Sequence, residues 1–370
     1  MTKPLVVHLE DKQNLRESYK NLESQLNLNI EYVQCASQQE LQKIIEENGD
    51  KIKCLIFDLF GESPERNELQ HNEAEFLSHI RSSFSSFNVP IFIYSAFIDR
   101  IDDQFINDGT VFKISKDESI EIIFEKIRIF EESGFLNIFS KDGLIDREIR
   151  KDINKAFRLQ FTQNNQILDV IEQIKKVHND HYVARVESVF RRVAVRSLMS
   201  GLLSPRIDTE GKFEHETVNP IEHYVQRLSP YTFWTGDVFK DKGDNYILIL
   251  TPRCDVANDK FNHLLVCPLK VGFEHKKADK VSGALNGNPK ISGYSRFLAP
   301  SPVFPGGEAE LSKYYFIEKD FLNSNFKKVI TLSDELINEI SSRFSTLFLR
   351  TGITSWNEHE TLAHIQAQNG

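Results

Sequence analysis

Only four of the 370 residues are cysteine (Cys35, Cys54, Cys254 and Cys267), and no two of them form a CxxC pair. A reduced chain without disulfides is the simplest reading of that usage. No run of about 18 apolar residues occurs, so no membrane span is expected. The opening Met1-Thr-Lys-Pro-Leu-Val-Val-His8 is too short an apolar stretch for a secretory leader and lacks a small-residue cleavage site. A cytoplasmic location is therefore expected. Low-complexity tracts and internal repeats are absent. Glycine (17) and proline (12) are too sparse for a collagenous or disordered chain. What is present is the composition of a folded protein, 40% hydrophobic and 27% charged, long enough for two or three domains.

The charge is unevenly placed. Residues 1–135 hold 14 Lys+Arg against 25 Asp+Glu, a net of −11, whereas the remainder holds 31 against 29, a net of +2. An acidic module is thus joined to a nearly neutral one. Phosphate binding needs a basic surface, so a nucleic-acid partner is not expected for the acidic part. The neutral part has room for a local basic patch at Arg191, Arg192 and Arg196.

The first third alternates short apolar runs with helical periodicity. The runs are Leu5–Leu9, Ile30–Val33, Cys54–Leu59, Ile91–Tyr94 and Val111–Ile114. Between and after them, helical spacing is carried by Leu15, Tyr19, Leu22 and Leu26, by Leu41, Ile44 and Ile45, by Phe76, Leu77, Ile80 and Phe84, by Ile101 and Phe105, and by Ile120–Phe130. This alternation predicts an α/β fold, a doubly wound parallel sheet of five βα units with helices on both faces. In such sheets functional residues gather at the carboxyl ends of the strands.

Those ends carry Glu10-Asp11 on the first strand, Asp58 on the third, Ser95 on the fourth and Lys113 on the fifth. Three carboxylates in one crevice repel one another and call for a cation, and hard oxygen donors suit Mg²⁺. A hydroxyl and an ammonium beside them suit a phosphoryl group, with the Asp58 carboxylate as nucleophile.

This pattern resembles the receiver domain of response regulators over residues 3–133, about a third of the chain. The resemblance implies that Glu10 and Asp11 are the acidic metal-binding pair and Asp58 the phosphoacceptor. It implies that the Phe60 backbone carbonyl completes the Mg²⁺ site, that Ser95 is the hydroxyl switch residue and that Lys113 is the invariant lysine. It also implies a histidine kinase as phosphodonor. The sequence departs from the family in three places. Ile114, not proline, follows the lysine. An acidic insert around Glu62–Glu75 separates Asp58 from Ser95. Thr110 and Val111 stand where an aromatic switch residue is usual. These departures point to a divergent branch, similar to receiver proteins of two-component-like anti-phage defence systems such as Detocs. There, a receiver without a recognisable catalytic output acts as a phosphate sink beside a second receiver-effector protein.

The middle of the chain reads as helical. Leu144 to Leu203 has little glycine or proline and repeated apolar residues at helical spacing, ending at Ser204-Pro205. It fits a bundle or a linking helix, with a homodimer as one arrangement it admits. His178 and His181 flank a helix break and read as a solvated turn. The last third reads as β-rich: runs at Thr232–Phe239, Tyr246–Leu250, His263–Leu269 and Tyr314–Ile317 are punctuated by turns at Lys242–Asn245, Asn286–Pro289 and Pro305–Gly307. A small barrel closed by a helix over Asp334–Leu349 fits. The expected division is a receiver domain at 1–134, a helical region at 135–228 and a β-rich output domain at 229–370.

The string Leu250-Thr-Pro-Arg-Cys-Asp255 directly follows a strand and makes Arg253, Cys254 and Asp255 a candidate output site. Cys254 as a nucleophile, Cys254 with His263 and Cys267 on a metal, and an Arg253–Asp255 ligand contact are the readings it admits. No recognised catalytic output domain is present. An enzymatic C-terminal effector and a nucleic-acid-binding output stand as alternatives to the phosphoacceptor reading.

Overall fold

The computed structural model describes residues 3–58, 78, 80, 82, 89–96, 98, 109–138, 143–161, 166–178, 181–202, 210–212, 217–227, 231–260, 262–272, 295–348 and a few positions between 358 and 366. The chain separates into two compact units, Met1–Ser204 and Pro205–Gly370.

The first unit is built on five parallel strands, β1 (Leu5–Leu9), β2 (Glu31–Cys35), β3 (Ile52–Phe57), β4 (Ile91–Ser95) and β5 (Val111–Ser115). Their order is β2-β1-β3-β4-β5, so the chain reverses direction of winding at β1 and β3. Helices α1 (Gln13–Leu26), α2 (Gln38–Asn48) and α3 (Glu121–Glu132) connect or follow the strands. Ser37 caps α2, its hydroxyl accepting from the Glu40 amide at 3.2 Å, while the Glu40 carboxylate takes the Ala36 amide at 2.7 Å. Alternation along the strands divides the core by face. Leu5, Val7, Leu9, Leu55, Phe57 and Ile93 pack with α2, and Val6, Ile56, Phe92, Tyr94 and Ile114 pack with α1 and α3. Strands buried on both faces explain the near-continuous apolar runs. A short helix, α4 (Phe135–Ile138), adds Leu136 to the second cluster.

Helices α5 (Leu144–Gln160), α6 (Gln166–His178) and α7 (Tyr182–Leu202) follow. Phe157, Phe161 and Phe190 form an aromatic trio, with ring centroids 5.0–5.6 Å apart, that joins α5 to α7. No residue of α5 or α6 is fully buried.

The second unit is an eight-stranded sheet. β6 (Tyr224–Val225), β7 (Asp237–Asp241), β8 (Tyr246–Ile249), β9 (His263–Lys270), β10 (Ser295–Leu298), β11 (Gly307–Glu310), β12 (Tyr315–Glu318) and β13 (Phe326–Leu332) run in the order β10-β11-β9-β8-β7-β13-β6, with β12 paired to β9. Every pairing in it is antiparallel. The sheet curls so that its ends approach: the Tyr224 hydroxyl on β6 donates to the Ala299 carbonyl after β10 at 2.5 Å, and its ring meets Phe304. That contact places Tyr224 within the sheet, ahead of residue 229 where the β-rich region was expected to start. Helix α8 (Arg253–Ala257) follows β8, and α9 (Lys319–Asn325) and α10 (Asp334–Phe348) flank β13. One face of the sheet packs Leu248, Cys267, Leu298, Phe304 and Ile330 against Leu336, Ile337 and Ile340 of α10. The other packs Ile247, Ile249 and Val266 against Val256 and Leu322.

Two turns show why their residues are needed. Asp241 Oδ1 accepts from the amides of Gly243 and Asn245, both at 2.8 Å, closing the β7–β8 hairpin. Gly306 has φ +73°, and a Cβ there would lie 2.7 Å from the Pro300 nitrogen, so only glycine fits.

The helices expected around Phe76–Phe84 and Ile101–Phe105, and the Asn286–Pro289 turn, lie outside the described residues apart from Ser78, Ile80 and Ser82, which are helical, with Ile80 fully buried in the first cluster. The run Thr232–Phe239 is not one strand. β7 begins only at Asp237, because Asp237 turns back to take the Trp234 amide on Oδ2 at 2.8 Å.

Candidate functional site

The parallel sheet delivers Glu10 from the end of β1 and Asp58 from the end of the adjacent β3. Their backbones continue the ladder: the Glu10 amide donates to the Cys35 carbonyl at 3.1 Å and the Asp58 amide to the Leu9 carbonyl at 2.9 Å. Glu10, Asp11 and Asp58 each offer a carboxylate oxygen, all within 4.8 Å of one another. Glu10 is fully buried. Its Oε1 accepts the Lys12 amide at 3.1 Å, while Oε2 is buried without a hydrogen-bond donor.

The lysine that reaches these carboxylates is Lys116. Its ammonium bonds Asp58 Oδ2 and lies 3.5 Å from Glu10 Oε2. Lys113, the expected partner, sits inside β5 opposite Ile93, on the sheet face that also carries Val111. Lys116 stands one residue past the strand, where its amide donates to the Ser95 carbonyl at 3.1 Å. The corrected assignment follows the same rule that located Glu10 and Asp58: the residue just beyond the strand's carboxyl end is the one that faces the crevice. The signal was legible, since Phe112, Ile114 and Lys116 share one parity. Ser95 is fully buried at the end of β4, in register with Ser115. Phe60 lies outside the described residues.

Electrostatics follow from burial. Desolvation, then the charge on Asp58, pushes the Glu10 carboxyl up to about 7. Desolvation also raises Asp58, with Lys116 opposing it. Beneath this pocket, His8 on β1 is fully buried; its Nδ1 lies 2.6 Å from the Tyr32 hydroxyl and its ring stacks on Tyr19 at 5.4 Å. Burial, then the charge of Lys116, lowers His8 to about 3, so the imidazole is neutral at ordinary pH. Tyr94 lies under the Lys116 ammonium, 5.8 Å from ring centre to Nζ, and donates to the Glu118 carbonyl at 2.8 Å. His8 and Tyr94 were not singled out from the sequence, where both look like members of apolar strands.

Three carboxylates against one ammonium leave the crevice with excess negative charge. Glu10 Oε2, buried and met among the described residues only by the Lys116 ammonium at 3.5 Å, is placed as a hard-cation ligand would be. Glu10, Asp11 and Asp58 suit Mg²⁺ in donor type and spacing.

The other singled-out residues are apart from this pocket or from one another. Cys254 is exposed in α8, with Sγ 3.7 Å from Asp255 Oδ1. Cys267 is fully buried, and burial pushes its thiol up to about 12. His263 is exposed on β9 opposite Glu318, four residues along the strand from Cys267, so about 13 Å of extended chain separates the two. A Cys254–His263–Cys267 metal centre is not formed. Glu10, Asp11 and Asp58 are the one such grouping among the described residues. Arg253 pairs with Asp334 at 2.8 Å, not with Asp255, which lies 3.8 Å from Lys260. Arg191, Arg192 and Arg196 are exposed on α7, as are His178 and His181 at the α6–α7 connection. Among the described residues no helix is long and apolar enough to cross a membrane.

No family model and no curated protein matches the sequence. Solved structures similar to parts of it include response-regulator receiver domains. The receiver domain of the Francisella response regulator 1452 is 16% identical over 36% of this chain and 99% of its own, with a TM-score of 0.26. A response regulator receiver protein from Pseudomonas putida is 20% identical over 34% and 97%, with a TM-score of 0.27. A MazE–MazF structure from Deinococcus radiodurans is 11% identical over 33% and 99%, with a TM-score of 0.23.

Proposed function

We propose that the N-terminal unit is a phosphoacceptor of the response-regulator type, taking a phosphoryl group from a partner histidine kinase onto Asp58. The observation that carries this reading is the convergence of the buried Glu10 with the half-buried Asp58 and Lys116 at the carboxyl ends of β1, β3 and β5 of one parallel sheet. An Asp58 carboxylate oxygen forms the bond to phosphorus as the P–N bond of the phosphohistidine breaks. The imidazole departs as a neutral ring, its other nitrogen keeping the proton. Lys116 turns from the carboxylate towards the transferred oxygens and offsets their charge, and the Ser95 hydroxyl is the nearby donor for one of them. Glu10, Asp11, Asp58 and the Phe60 carbonyl would hold Mg²⁺, which when bound supplies further positive charge against those oxygens.

The wider setting, a phosphorelay in a two-component-like anti-phage defence system with this chain as phosphate sink or regulator, rests on the resemblance of the sequence to such receivers. Intact mass after incubation with a small phosphodonor and Mg²⁺ tests the core of the reading. A gain of one phosphoryl group, absent without Mg²⁺, is expected. No gain with any donor or candidate kinase would leave the unit as an interaction module.

A further inference from the structure

We propose that one rim of the C-terminal unit binds a nucleobase–phosphate group, as a mononucleotide or as part of a single-stranded nucleic acid. Three connections of the curled sheet supply it, the β6–β7 one contributing both Arg227 and Trp234. Arg227 follows β6, Trp234 precedes β7, Arg253 opens α8 after β8, and Asp334 opens α10 after β13. Arg227 Nη1 and Arg253 Nη2 both address one oxygen, Asp334 Oδ1, at 3.6 and 2.8 Å. Guanidinium groups stay charged at any ordinary pH, so two of them on a single carboxylate oxygen leave positive charge in excess there. A second anion between the two forks would relieve that repulsion, and the planar fork matches phosphate oxygens.

The same arginine is tied to an aromatic platform. The Arg227 guanidinium lies 4.7 Å over the Trp234 ring, and Tyr231 stacks on Trp234 with centroids 5.0 Å apart and planes at 30°. Tyr231 is 44% exposed. The Trp234 Nε1–H is buried and has no acceptor among the described residues. Phosphate alone, or an acidic peptide, would use the arginines and leave the aromatic platform without a role. A base joined to a phosphate uses both, since single strands are held by bases stacked on aromatic rings together with cationic groups at the phosphates, arginine adding cation–π attraction. The site is local, which agrees with the near-neutral charge of the chain beyond residue 135.

Fluorescence anisotropy of the full chain with a short labelled single-stranded RNA at low salt tests this. Saturable binding is expected, with Tyr231→Ala, Arg227→Ala and Arg253→Ala each weakening it on the order of tenfold. Asp334→Asn should tighten it, because the competing carboxylate is gone; a cluster that only braces the fold would respond with weaker binding or none. Should an arginine variant fail to fold, Tyr231→Ala and Asp334→Asn decide. Competition by AMP or UMP would assign the mononucleotide as ligand, and failure of both to compete would assign the strand. Absence of binding, equal competition by inorganic phosphate or a polyglutamate peptide, or indifference to Tyr231→Ala would overturn the proposal.

Discussion

Both units gather charged side chains at one end of a sheet, with opposite balance. At the N-terminal edge three carboxylates face one ammonium. At the C-terminal rim two guanidinium groups face one carboxylate. The difference begins in strand direction. A parallel sheet brings every strand's carboxyl end to one edge, so residues at equivalent places in successive βα units meet. An antiparallel sheet alternates its ends, so a cluster there must come from connections that are unalike in length and sequence. The first arrangement concentrates negative charge around one buried carboxylate and suits a cation and phosphoryl chemistry. The second keeps arginines partly exposed beside stacked rings and suits recognition.

Substitutions sharpen that contrast, beginning with the largest effect. Asp58→Asn removes the nucleophile and is expected to abolish phosphoryl uptake by intact mass, with circular dichroism unchanged; uptake persisting in the variant would move the acceptor elsewhere. Lys116→Gln should slow uptake from a small phosphodonor about 10²-fold, in the range of losing one preorganised charge-stabilising group. Lys113→Gln should leave the rate within about threefold, since its side chain stands mid-strand on the other face. The reverse ranking would restore Lys113 as the site lysine.

A pH series addresses the balance of charge directly. Glu10 titrates near 7 in the folded chain against an ordinary 4.5. The folded state thus holds this proton more tightly than the unfolded state. Stability from this group is present below about 4.5 and is lost as pH rises through about 7. In metal-free protein the melting temperature should therefore fall between about pH 5 and about pH 8, Glu10→Gln should flatten the fall, and Mg²⁺ should restore stability chiefly at the higher pH. Identical slopes for wild type and Glu10→Gln would show that the crevice carries no such strain. The smallest effect is expected at Cys254→Ser, an exposed side chain in α8: stability by urea unfolding should change by less than about 0.5 kcal/mol. Cys267→Ser, fully buried between Leu248 and the α10 face, should cost about 1–3 kcal/mol.

The same contrast explains what was legible in the sequence. The five parallel strands announce themselves because strands buried on both faces are continuous apolar runs, and the strand-end rule then finds Glu10, Asp58 and Ser95. The lysine was placed one turn of reasoning short: Lys113 interrupts the apolar run, yet the strand continues to Ser115 and its end falls at Lys116. In the C-terminal unit, β6, β10, β11 and β13 are short or half-exposed and carry Lys327, Lys328, Glu308 and Glu310 among their residues, so their periodicity is diluted. The Thr251–Asp255 string was visible as a turn after a strand. Its partner was not: Arg253 looks beyond Asp255 to Asp334, 81 residues on, a pairing set only by the curl of the sheet.

Borohydride trapping tests the central claim most directly. Borohydride reduces an aspartyl phosphate to homoserine with loss of phosphate, so the acceptor is marked in the chain itself. After phosphorylation with a small donor and Mg²⁺, peptide mapping should find homoserine at position 58 and nowhere else. An unmodified Asp58, or a mark at another carboxylate such as Asp11, would contradict the account.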